Sequence, residues 1–90
     1  MPQIIVPIEM LFDVSKAFQK ANMDVANIQA ELEKRMQNLE NSWSDSSKQN
    51  FSRYYRELDQ QLAISNEIIN TMAREMQAVA ERYAELEKRI

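Results

Sequence analysis

The chain has 90 residues, 44% of them hydrophobic and 28% charged, with 11 Lys+Arg against 14 Asp+Glu. That bounds it to one domain at most, too apolar for a disordered segment, and its net charge of −3 argues against nucleic acid or anionic lipid as a partner. Cysteine, histidine and glycine are all absent, which removes thiolate chemistry, imidazole bases and metal ligands, and phosphate-cradling loops. Carboxylates at helical spacing, such as Glu81 with Glu85, have no histidine beside them to build a metal centre. No nucleophile has a base to activate it. The composition therefore predicts a non-enzymatic protein that holds no metal and no cofactor.

In chain order, Met1 to Phe12 is apolar but lacks the marks of a secretory signal. The first lysine is Lys16, Glu9 and Asp13 interrupt the apolar run, and no small-residue cleavage site follows. A soluble chain made in the cytoplasm, outside the general secretory route, is the expectation. Gln3 to Val6 reads as extended, and a first helix is predicted over 7–41. Pro7 suits a first helical position, and Glu9 and Asp13 sit where the positive end of the helix dipole favours acids. Along this helix Leu11, Val14, Phe18, Ala21, Val25, Ile28, Leu32 and Leu39 follow steps of three and four, broken only at Arg35.

Turn formers then cluster from Glu40 to Ser47, and the turn is placed at 42–45. Asn41 or Ser42 can end the first helix, and Ser44 or Asp45 can accept a hydrogen bond from the free N–H groups that open the second. The second helix is predicted over 46–88. Its stripe runs Phe51, Tyr55, Leu58, Leu62, Ser65, Ile69, Met72, Met76, Val79, Tyr83, Leu86 and Ile90, with Ser65 its one polar member. Lys88 and Arg89 complement the negative dipole end, and Glu31 with Arg35 and Glu85 with Arg89 are spaced for i,i+4 ion pairs. Arg53-Tyr54-Tyr55-Arg56 reads as two inward rings with arginines snorkelling outward.

These elements predict an all-α protein, an antiparallel helix-turn-helix hairpin. Its helices, of about 35 and 43 residues, span roughly 50 and 65 Å. Leu11, Phe18, Val25, Ile28, Leu32, Leu58, Leu62, Ile69, Met72 and Met76 are the expected core and dimer contacts. A second apolar face, read as Met23, Met36, Tyr54, Ile64 and Ile68, asks for another hairpin and hence a four-helix-bundle dimer. Trp43, alone in the turn, can cap the core or anchor a partner through its ring and single N–H.

Leu39, then Trp43-Ser44-Asp45, followed by Phe51 and Tyr55, resembles the centre of the WXG (Trp-Xaa-Gly) family. These are small substrates of type VII secretion related to the mycobacterial early secreted antigenic target. Asp45 stands where the family has glycine, and aspartate serves a turn through capping or left-handed conformations. Tyr83-Ala84-Glu85-Leu86-Glu87 is similar to the family's C-terminal export signal, Tyr-x-x-x-Asp/Glu. Tyr55 to Asp59 fits the same spacing, but inside the second helix. The resemblance implies export as a folded dimer, without a signal peptide, through a secretion-system membrane ATPase. That ATPase would read the turn at Trp43, Ser44 and Asp45 in one subunit and Tyr83 with Glu87 in the other. The partner would be a second copy or a homologous hairpin, and the exported pair would act as a virulence or interaction factor. The rival readings are an escort subunit for a larger type VII toxin and a cytosolic coiled-coil adaptor.

Overall fold

Two helices account for nearly all of residues 5–89, the part of the chain that the computed structural model describes. Positions 3, 4 and 90 of the expected extended stretch and apolar stripe lie outside the described residues. Helix α1 spans Ile8–Ser42 and helix α2 spans Ser47–Lys88. Pro7 stands one residue ahead of α1, where its carbonyl accepts the Leu11 N–H at 2.9 Å. Its missing N–H therefore costs the helix nothing. The chain leaves α1 through Trp43 in an extended conformation, φ −110° and ψ 119°. No described residue has positive φ, so the turn closes without the conformation that glycine would favour. Asp45 does the work instead. Its Oδ1 accepts the Ser47 N–H at 2.8 Å and its carbonyl accepts the Lys48 N–H at 3.1 Å, which satisfies two of the free donors at the start of α2.

The helices pack antiparallel, but not on the stripe that the sequence spacing suggests. From α1 the seam takes Leu11, Ser15, Phe18, Asn22, Val25, Gln29, Leu32 and Met36; from α2 it takes Tyr55, Asp59, Leu62, Asn66, Ile69, Ala73, Met76 and Ala80. One apolar edge is shared with the expected stripe. The other edge has moved by one residue, about 100° around the helix. Ser15 replaces Val14, Gln29 replaces Ile28, Asp59 replaces Leu58 and Ala73 replaces Met72. Of the expected contact residues, Leu11, Phe18, Val25, Leu32, Leu62, Ile69 and Met76 are half-buried in the hairpin, whereas Ile28, Leu58 and Met72 face outward.

The reason is hydrogen bonding across the seam. Ser15 Oγ donates to the Ala73 carbonyl at 2.7 Å. Asn22 Nδ2 donates to the Asn66 carbonyl and Oδ1 at 2.9 and 2.7 Å, and Gln29 Nε2 reaches the Asp59 carbonyl and Oδ1, both at 3.3 Å. These polar groups are satisfied only in this rotation of the two helices, and leaving them buried without partners would be costly.

The hairpin measures 70 × 20 × 13 Å. Its thinnest dimension is close to the 10–12 Å diameter of one helix, so the chain forms a single layer, and a layer has no second surface to enclose a core. Among the described residues the buried apolar ones are Tyr55, Ala73 and Ala80, and no large side chain is fully buried. The exposed area is 7484 Å². A compact monomer of this mass would expose about 5,500 Å². The excess of roughly 2,000 Å² is comparable to what one subunit of an obligate helical dimer covers.

Candidate functional site

The outer half of the apolar stripe forms one open face shared by both helices. Val14, Ile28 and Leu39 of α1 and Phe51, Leu58, Met72, Tyr83 and Leu86 of α2 are all exposed on it. This corrects the expected second face: Met23 and Ile64 are exposed apart from the stripe, and Met36 lies in the hairpin seam. Towards the turn the face deepens into a groove of about 470 Å³. Leu32, Met36, Leu39, Trp43, Phe51, Tyr54, Tyr55 and Leu58 line it. The half-buried Trp43 ring lies against Phe51, with centroids 5.3 Å apart and planes tilted by 37°, so the extended turn residue folds back onto the first turns of α2. Ser44 and Asp45 are exposed beside it.

The two tyrosines that follow separate sharply. Tyr54 is 59% exposed with Arg53 over its ring at 5.5 Å, whereas Tyr55 is 7% exposed, so only one of the two expected inward rings is inward. Tyr55 O–H donates to Glu33 Oε2 at 2.7 Å, and Arg56 Nη1 lies 3.6 Å from the other oxygen of that carboxylate. Nearby, Ser52 Oγ donates to Glu40 Oε1 at 2.9 Å. Burial, and then the bond to Glu33, push the Tyr55 phenol up to about 12. The Tyr55 hydrogen bond, with Arg56 assisting, holds Glu33 below its ordinary value of 4.5.

These shifts fix the sign of the pH response. A lowered carboxylate stabilises the fold above its unfolded pKa and loses that contribution as pH falls below about 4.5. A raised phenol stabilises below its unfolded value of 10 and loses that contribution as pH rises towards 12. The thermal midpoint is therefore expected to be level across the neutral range and to fall on both sides. Tyr55→Phe should destabilise the fold by about 1 kcal/mol across the neutral range, lowering the midpoint there, and flatten the alkaline limb in melts followed by circular dichroism. Alkaline limbs of equal steepness in the two proteins would remove Tyr55 from that role.

Tyr83 and Glu87 lie at the opposite end of the hairpin. Tyr83 is on the apolar face and Glu87 is exposed, lining a shallow depression with Val6, Pro7, Ile8, Glu9 and Met10. About 40 residues of helix separate Tyr83 from Trp43, or roughly 60 Å, so one chain cannot present both to one reader. The polar seam residues Ser15, Asn22, Gln29, Asp59 and Asn66 were not singled out by the sequence. Their signal is there, polar residues seven apart at 15, 22 and 29 and at 59 and 66, but it sits beside a stronger apolar stripe. Among the described residues no cluster of three or more carboxylates is arranged to hold a metal, and no helix is long and apolar enough to cross a membrane.

The site is thus an open apolar face on a single-layer helical hairpin, closed at one end by an aromatic turn. Residues 3–88 match the family described as WXG100, proteins of 100 residues with WXG, and the chain belongs to that family, whose members are small ESAT-like substrates of type VII secretion. Trp43-Ser44-Asp45 occupies the turn, with aspartate in place of the signature glycine. The fold is similar to the crystal structure of the secreted protein ESXB from Bacillus anthracis str. Sterne, with a TM-score of 0.83 and 17% identity. That likeness covers 97% of this chain and 99% of the other, and the all-α antiparallel hairpin stands as expected. No curated protein matches the chain significantly.

Proposed function

We propose that this protein is a non-enzymatic type VII substrate that leaves the cell as a folded pair, without a signal peptide. Its partner is a second copy of the chain. The observation that carries the reading is the one-sided apolar face of a hairpin that has no core of its own. Family membership and the secreted neighbour ESXB support the export half.

An antiparallel pair joined through this face forms a four-helix bundle and brings the Trp43 turn of each copy to the level of the partner's C-terminal turns. The secretion ATPase then reads a composite signal, Trp43, Ser44 and Asp45 from one subunit with Tyr83 and Glu87 from the other. A composite signal of this kind admits the folded dimer and rejects the single chain. Sedimentation equilibrium at micromolar concentration should give twice the 10.6 kDa chain mass, and the protein should accumulate in the medium of a type VII-competent host. A stable monomer sinks the homodimer. Pairing that needs an added homologous hairpin makes the chain an escort subunit. Retention in the cytoplasm of the competent host makes it an adaptor.

Trp43→Ala separates recognition from folding. The ring is half-buried and its aromatic contact is with Phe51. Its loss should therefore cost about 2 kcal/mol, below the roughly 3–5 kcal/mol of a fully buried aromatic. Export should fall much further than the melting temperature does. A variant that unfolds outright would assign Trp43 to capping alone.

A further inference from the structure

Two edges of the same helices are built on opposite principles. The edge facing the partner side is apolar and open, whereas the edge inside the hairpin carries polar residues seven apart, Ser15, Asn22 and Gln29 on α1 and Asp59 and Asn66 on α2. Ser15, Asn22 and Gln29 of α1 each meet the α2 residue across from them: Ala73, Asn66 and Asp59. Ser15 and Ala73 are each 1% exposed and Asn22, Gln29, Asp59 and Asn66 are half-buried. Every rung is hydrogen-bonded, and among the described residues no buried side-chain nitrogen or oxygen lacks a partner. The surface beside the middle rungs is a groove of about 300 Å³ lined by Asn22, Gln29, Ala63, Asn66, Glu67 and Asn70, with no large apolar side chain among them.

Satisfied polar rungs add little net stability, because each bond made replaces a bond to water. They are directional, however, and intolerant of misalignment. A slip or rotation of one helix leaves the buried Ser15 hydroxyl or a half-buried amide unpaired, whereas apolar contacts re-form in many registers. With apolar rungs, each helix would carry a wide sticky band. The hairpin could then associate through its back as well as its face, and growth would not stop at two copies.

We propose that Ser15, Asn22, Gln29, Asp59 and Asn66 are the specificity-determining residues of pairing. They hold the helices in the one rotation that turns the apolar stripe towards a partner, and they leave the reverse side unable to bind another copy. This rests on the reading that the apolar face pairs, and the test keeps the two apart.

The full chain carrying Asn22→Leu and Asn66→Leu is compared with wild type by thermal melting and sedimentation equilibrium. The expected result is a midpoint raised by roughly 5 °C, together with at least a roughly twofold rise in weight-average mass over wild type as higher assemblies appear. Gln29→Leu with Asp59→Leu should repeat the pattern one rung away. A variant with wild-type mass, or one that melts below wild type, overturns the proposal: the rungs would then be dispensable for specificity, or would serve stability alone. A wild-type monomer sinks the pairing reading, while the gain of mass on substitution still tests the rungs.

Discussion

Leu58→Glu is expected to dissociate the pair while leaving the hairpin helical. Leu58 is 49% exposed in the single chain, and its neighbours in the groove are Leu32, Met36, Leu39, Phe51, Tyr54 and Tyr55. In the unpaired chain a carboxylate at this position points into water at little cost. In the proposed pair it would be buried against the apolar side chains of this face. An uncompensated buried charge costs on the order of 3 kcal/mol per copy, about 6 kcal/mol for the two, which weakens association roughly ten-thousandfold. Ile64→Glu is the matched control. Ile64 is 52% exposed, close to the value for Leu58, but it lies two residues from the seam positions Leu62 and Asn66 and so on the far side of α2. Sedimentation of both variants, with circular dichroism to follow helicity, decides the matter. If Leu58→Glu still pairs at wild-type strength, or Ile64→Glu separates the copies equally well, the face has been misassigned.

Tyr83→Ala and Glu87→Ala should each abolish export from a competent host; Glu87→Ala should leave pairing and melting unchanged, while Tyr83→Ala should weaken pairing only by the one contact it makes at the end of the apolar face. Tyr83 sits at the end of the apolar face, a third exposed, and Glu87 is exposed one helical turn further on. The two can be read together from one side of the helix. Tyr55→Phe is the informative contrast, because Tyr55 and Asp59 share the same Tyr-x-x-x-Asp/Glu spacing. The Tyr55 ring is buried and its hydroxyl is engaged with Glu33, while Asp59 accepts Gln29 across the seam, so neither is free for a reader. Tyr55→Phe should therefore be exported normally. Secretion of the Tyr83 and Glu87 variants at wild-type levels would remove the C-terminal site from the mechanism.

Helices were readable along this chain because nothing in it offers an alternative. With no glycine anywhere and both prolines within the first seven residues, propensity and three-four spacing agree over the length of α1 and α2, and the turn formers between Glu40 and Ser47 leave one place to reverse direction. The aromatic turn and the excess of apolar surface over what two helices can cover were equally legible. Asp45 was legible as one of two candidate caps, and its carboxylate and carbonyl both hold the start of α2.

The rotation of the helices about their axes could not be read in the same way. Hydrophobic spacing marks a stripe, but one stripe serves equally well as a seam inside the chain or as a face towards a partner. The choice between Val14 and Ser15, or between Leu58 and Asp59, depends on whether a polar side chain finds its acceptor on the other helix, 30 to 58 residues away in sequence. The same holds for Tyr54 and Tyr55: adjacent and chemically identical, they part because Glu33 of α1 stands within 2.7 Å of one hydroxyl. Periodicity along a helix is a local property, and it names which residues share a side. Which side is covered depends on partners distant in sequence, and here satisfying the polar rungs inside the hairpin leaves the apolar half of the stripe outside it.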